Sequence, residues 1–252
     1  MIQLILVLLG AFVVFILSTL TGGGASLLLM PLVAVVVGVK AVAPVMAISI
    51  GMSSTSKVFF FWRHIDWKLF VWLFPSTIVG SIIGARMFAS LSADFLQILI
   101  GLLLLSTVFQ WNKKESKTGF KVKAWHFAPM GLVVSFLSGL IGGVGPLMNS
   151  AYLNYGISKE SLLGTRSANA IILHITKIIS YAYFGYVTGE VLKFGILIGL
   201  SSMIAVYFGK LILSKISELF FRKIVVASMV LSGILMLWKN KEYIGEIVAS
   251  IN

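Results

Sequence analysis

Three basic residues, Lys57, Arg166 and Lys177, stand inside otherwise apolar runs of the chain. A charge at the centre of a membrane-length helix costs about 2.5–3.5 kcal/mol on insertion scales, and a cation retained at that cost suits an anionic ligand. Arg166 and Lys177 are eleven residues apart. At 100° per residue that spacing returns them to within about 20° of one helix face, with Asn169 beside them. Ser53 and Ser54 precede Lys57 by one turn and offer hydroxyl donors to the same ligand, while His174, one turn before Lys177, faces the same cavity. Each has a plainer reading. The three cations lie near enough to segment ends to snorkel to the membrane interface, and His174 also fits a hydrogen-bonded packing role.

Backbone groups add to this set. Thr21-Gly22-Gly23-Gly24-Ala25-Ser26 interrupts two apolar runs, and a weaker copy, Gly142-Gly143-Val144-Gly145, follows in the second half. Glycine gives up roughly 1 kcal/mol of helix propensity relative to alanine, so these runs open the backbone. At membrane depth such a break is tolerated only where protein or a polar cavity surrounds it. N–H groups of Gly22, Gly23 and Gly24, at the start of the next segment, would meet the positive end of a helix dipole and favour an anion. Close helix packing through small residues is the alternative.

Other chemistries are poorly supplied. Neither glycine run continues into the Gly-Lys-Ser/Thr of a P-loop, and Gly143-Val144-Gly145 has no third glycine for a dinucleotide fingerprint. The eight acidic residues all fall at segment ends or in loops, whereas proton relays and cation sites place carboxylates inside the bundle. His64, His126 and His174 form no metal set, and with no buried acid to orient a histidine there is no Ser-His-Asp arrangement. Cysteine is absent, which removes disulfides and thiolate sites. The expectation is a chain that is not an enzyme and needs no cofactor or metal.

Positioning these groups requires a membrane. The 252 residues are 59% hydrophobic and 11% charged, with a mean hydropathy of +1.04, against about 25% charged residues in soluble domains. The net charge of +12 is explained by basic cytoplasmic loops better than by nucleic acid. Apolar windows fall at about 2–20, 25–38, 41–61, 68–89 and 92–111, and again at 125–141, 145–156, 161–184, 190–213 and 217–238. The N-terminus lacks the basic start of a cleaved signal peptide, so the first window is expected to be a retained helix. The second window of each set is too short to span upright and suits a half-helix or re-entrant segment.

The halves are duplicates. At an offset of 120, Val13, Val14, Leu17, Ser18, Leu20, Gly22, Gly23 and Leu27 recur as Val133, Val134, Leu137, Ser138, Leu140, Gly142, Gly143 and Leu147, and Lys57 recurs as Lys177. The offset drifts later, pairing Arg86 with Lys210 and Ser92 with Ser217. Whether the short windows cross or fold back, each half crosses an odd number of times, so the two halves are inverted. Five lysines between Lys113 and Lys123 place the central loop in the cytoplasm by the positive-inside rule, which puts both termini outside. Lys40, Arg86, Lys239 and Lys241 are exceptions to that charge pattern. The expected fold is an all-α polytopic protein of the cytoplasmic membrane. It has two inverted-topology repeats, 1–111 and 125–252, joined by the loop 112–124. Inverted repeats with interrupted helices are a recurrent plan of secondary transporters. Gly80 and Gly84 form a small-xxx-small pair suited to close helix contact.

The run from Thr21 to Pro31, Ser53-Ser54, Asp66-Trp67 and Gly80-Ser81-Ile82-Ile83-Gly84 resemble the TauE/SafE sulfite exporter family, as do Gly142-Gly143, Gly164-Thr165 and the residues around Lys177. The resemblance covers nearly the whole chain, in order. It implies transport of small sulfur-containing anions, such as sulfite or sulfonates, across the cytoplasmic membrane without ATP hydrolysis. The chain departs from the pattern where Ala151 stands opposite Pro31 and Glu190-Val191 opposite Asp66-Trp67. The expected partners are a small anion and the bilayer, with self-association left open. A non-transporting scaffold or assembly subunit is the other reading. A channel is disfavoured because no ring of charges or filter sequence is visible.

Overall fold

The computed structural model describes residues 2–20, 25–106, 122–143 and 145–212, with positions 230, 234, 237, 238 and 241. Gly22, Gly23 and Gly24, most of the loop 112–124 and nearly all of the expected segment 217–238 lie outside the described residues. Among the described residues the chain is entirely helical. The helices are α1 (Ile2–Leu20), α2 (Ala25–Val36), α3 (Val39–Phe61), α4 (Trp67–Ser90), α5 (Ala93–Ser106), α6 (Phe127–Ile141), α7 (Asn149–Tyr155), α8 (Lys159–Tyr183) and α9 (Gly189–Ile212). Among the described residues four stretches are long and apolar enough to cross a membrane: Val39–His64, Trp67–Ser90, Ala124–Ile141 and Gly189–Gly209. The protein is a multi-pass membrane protein.

Helix ends follow local chemistry. Asp66 caps α4, its carboxylate accepting from the Leu69 N–H at 3.1 Å, and the Ser158 hydroxyl accepts from Ser161 N–H at 3.2 Å to start α8. Asp94, Glu160 and Glu190 occupy the first turns of α5, α8 and α9, where a negative charge meets the positive end of the helix dipole. All the described acids therefore sit at helix starts, away from the helix middles. α6 stops at Gly142, whose φ of 104° lies in the left-handed region that L side chains avoid.

Small residues set how the helices cross. A Cβ on Gly51 would stand 3.3 Å from His174 Cβ, and one on Gly164 would stand 2.7 Å from the Phe61 carbonyl oxygen. As the numbers rise along α3 they fall along α8, so these two run antiparallel. Gly80 abuts the backbone of Leu132 and Phe136, and Gly84 that of Phe136 and Gly139, so α4 and α6 run parallel in near backbone contact. Gly209 abuts the Ile16 carbonyl and Thr19 in the same manner. The Ser201 hydroxyl donates to the Leu8 carbonyl at 3.3 Å, making α9 parallel to α1. Gly195 and Gly199 take Ile48 and Met52 of α3 against α9. Gly80 and Gly84, read from spacing as a packing pair, have that role.

The order across the bundle is therefore α6, α4, α8, α3, α9, α1, with α3 and α8 at the centre. Nine consecutive residues of α3, Ala41 to Ser49, are buried on every side. One core joins both halves of the chain, from Val7, Phe15 and Leu29 through Val45 and Phe88 to Tyr181, Ile198 and Ala205. A smaller cluster around Leu69, Leu73, Phe127, Met148 and Tyr152 closes one end, where the Asp66 N–H also donates to Thr165 Oγ1 at 2.8 Å. At the other end Lys40 donates to the Leu91 carbonyl at the C-terminus of α4 and lies 5.4 Å and 5.3 Å from the Phe88 and Tyr186 ring centres. Lys40, an exception to the charge pattern of its end, is thus held by a helix terminus and two aromatic faces.

Candidate functional site

Polar side chains gather along the seam between α3 and α8. Ser49, Ser53 and Ser54 on α3 and Thr165, Ser167, His174 and Lys177 on α8 are all buried. α8 is long enough to span yet carries Lys159, Glu160, Arg166 and Lys177, and its place beside α3 and α4 keeps the latter two within protein. Asn169 reaches α4, where Thr77 Oγ1 donates to its Oδ1 at 3.0 Å.

Lys177 has no exposed surface. Its ammonium donates to the Gly142 carbonyl at 2.8 Å and to Ser138 Oγ at 3.2 Å, and stands 5.9 Å from the Tyr181 ring centre. A cation at the carbonyl end of a helix satisfies both the dipole and an orphan acceptor. Tyr181 supports the same terminus, its hydroxyl donating to the Gly139 carbonyl. The second glycine break thus presents a carbonyl to a lysine. The Gly142 N–H is already spent on the Ser138 carbonyl at 3.0 Å, and Gly143 is buried beside it.

Lys57 is placed differently. It is half-buried, no described residue hydrogen-bonds its ammonium, and the Arg166 guanidinium lies within Coulombic range of it. The hydroxyl of Tyr152, itself 1% exposed, is in the same range of Arg166. His174 sits between the two lysines, close enough to feel both charges. Two buried polar atoms here have no hydrogen-bond partner among the described residues, Ser53 Oγ and His174 Nδ1.

The structure therefore brings Lys57 and Arg166 together, leaves His174 within range of both lysines and one turn from Lys177, and sets Lys177 apart from Arg166. At 1.5 Å per residue, Arg166 and Lys177 are about 16 Å apart along α8, so a small anion does not bridge them even though they share a face. Ser54 and Asn169 line the same seam, Asn169 already engaged by Thr77. Gly22, Gly23 and Gly24 lie outside the described residues. Sequence reasoning missed Tyr152 beside Arg166, Thr77 on Asn169 and the pairing of Ser138 with Lys177. Only the last had a signal, since Ser138 and Lys177 are both members of the duplicated set. Among the described residues no group of histidines and acids is arranged to hold a metal ion.

A seam of cations and hydroxyls with acids kept to the helix ends can hold a small anion away from water. The family model for the sulfite exporter TauE/SafE matches residues 6–236. No curated protein matches the chain, and no solved structure does. Covering more than nine-tenths of the sequence, the family match agrees with the all-helical fold, and the chain belongs to the sulfite exporter TauE/SafE family.

Proposed function

We propose that the protein is a secondary transporter that moves a small anion, sulfite or a related sulfur-containing acid, across the cytoplasmic membrane by alternating access. The observation that carries this reading is the Lys57 ammonium, left without a hydrogen-bond partner among the described residues beside Arg166 in the central seam. A half-buried cation in that state is an incomplete ion pair, and an anionic substrate completes it. Ser53, Ser54, Asn169 and His174 then supply hydrogen bonds. Lys177, Gly142 and Gly143 form the second station along α8, where the lysine fixes the end of α6.

The inverted-repeat reading draws support from equivalent contacts. Gly84 on the Phe136 carbonyl and Gly209 on the Ile16 carbonyl are corresponding contacts that differ by one residue of register under the offsets of the two halves. α3 and α8, equivalents in those halves, run antiparallel. Rocking of 1–111 against 125–252 about the α3–α8 seam switches access. In this reading the loop 112–124 and the end bearing Arg63, Lys68 and Lys123 are cytoplasmic by their charge, with both termini outside.

The test is a thermal-shift panel on the detergent-purified protein. Sulfite or an alkyl sulfonate is expected to raise the unfolding temperature, because binding to the folded state alone stabilises it. Equal concentrations of chloride are expected to do much less. A flat response to every anion would favour a scaffold or assembly subunit.

A further inference from the structure

We propose that His174 is the site of a co-transported proton, taken up with the anion and released with it; this rests on the anion-transport reading above. The imidazole is 3% exposed and its Nδ1 has no hydrogen-bond partner among the described residues. A buried polar atom left in that state carries an uncompensated desolvation cost. It sits where α3 and α8 cross, its Cβ facing Gly51 so closely that a Cβ there would stand 3.3 Å away. The central seam is thus in direct contact with it.

Its charged surroundings favour coupling over simple titration. From α3, Lys57 faces it, and from its own helix Lys177 does. On α4, Lys68 and Arg86 are exposed, as are Arg63 and His64 in the turn before α4. The described acids lie at the helix starts, so no described carboxylate offsets an imidazolium here. Lys57 and Lys177 set two positive charges near His174. An anion seated at Lys57 and Arg166 brings the missing negative charge and makes the imidazolium favourable. The proton adds to the unprotonated ring nitrogen from water on one side and leaves from the same nitrogen to water on the other. No bond in the anion is made or broken. Proton and anion binding are thereby linked with one sign, and linkage makes the coupling reciprocal.

The experiment uses the full chain in proteoliposomes with isotope-labelled sulfite, protein-free liposomes giving the background. Two modes are compared: exchange with equal sulfite and equal pH on both sides, and accumulation driven by an acidic exterior. With one proton per anion, a gradient of one pH unit supports up to about tenfold accumulation. H174Q and H174N cannot titrate. They are expected to keep a measurable exchange, lowered by whatever anion contact the imidazole supplies, yet to show no pH-driven accumulation above background when accumulation is scaled to that exchange. A histidine that only packs would reduce both modes together. If either variant accumulates as the wild type does, the proposal is overturned while the transport reading stands. Should neither variant purify as folded protein, the wild type alone decides. Exchange without any accumulation above background on a pH gradient overturns the proposal. A wild type with no saturable exchange overturns the transport reading itself.

Discussion

Replacing the two repeat-related lysines by methionine separates a ligand-facing cation from a structural one. Methionine keeps the length of the side chain and removes its charge. At Lys57 the change relieves up to about 2.5–3.5 kcal/mol of insertion cost and breaks no hydrogen bond to a described residue. K57M is therefore expected to unfold at the same temperature as wild type or higher. At Lys177 the same relief is set against two charge-assisted hydrogen bonds, to Gly142 O at 2.8 Å and Ser138 Oγ at 3.2 Å. Each is worth about 1.5–3 kcal/mol, and orphaning the buried carbonyl adds about 1–3 kcal/mol. K177M is expected to be destabilised by several kcal/mol. Thermal unfolding in one detergent, followed by tryptophan fluorescence or size-exclusion, reads both signs. Sulfite titration of K57M is expected to show affinity weakened by about 10- to 150-fold, the equivalent of one lost charge-assisted hydrogen bond. Equal destabilisation of the two variants, or a K177M as stable as wild type, would refute the division of roles.

Three further perturbations probe the frame around the site. G84A places a methyl group into the Phe136 backbone where α4 meets α6; overpacking of this kind costs about 1–3 kcal/mol, read as a lower unfolding temperature, and G209A should behave alike. G142A adds a Cβ at a φ of 104° and is expected to cost about 1 kcal/mol while shifting the carbonyl that Lys177 holds, so stability falls with little change in anion affinity. K40M removes the cation from the end of α4 and from the Phe88 and Tyr186 rings. It should lower the unfolding temperature modestly without altering the sulfite titration.

The helix boundaries were legible because a bilayer imposes length and composition together. Windows read at 68–89 and 190–213 became Trp67–Ser90 and Gly189–Ile212, and Gly80 and Gly84 were correctly read as a contact surface. Asp66, read from the sequence only as an acid at a segment end, is the α4 cap. The site was less legible because its geometry is made between helices. Lys57 and Lys177 are equivalent in the sequence, yet one ammonium is held by partners 35 and 39 residues away and the other has none among the described residues. Helical periodicity puts Arg166 and Lys177 on one face, and the same spacing carries a rise of about 16 Å that a small anion does not bridge. Lys40 looked anomalous by charge alone, because the α4 carbonyl that takes it up is 51 residues distant.

Saturable flux of labelled sulfite through proteoliposomes, wild type against K57M, tests the central claim most directly. The account predicts saturable movement by the wild type, fallen to the level of protein-free liposomes in a K57M protein that unfolds no earlier than wild type. Wild-type flux through folded K57M would contradict it.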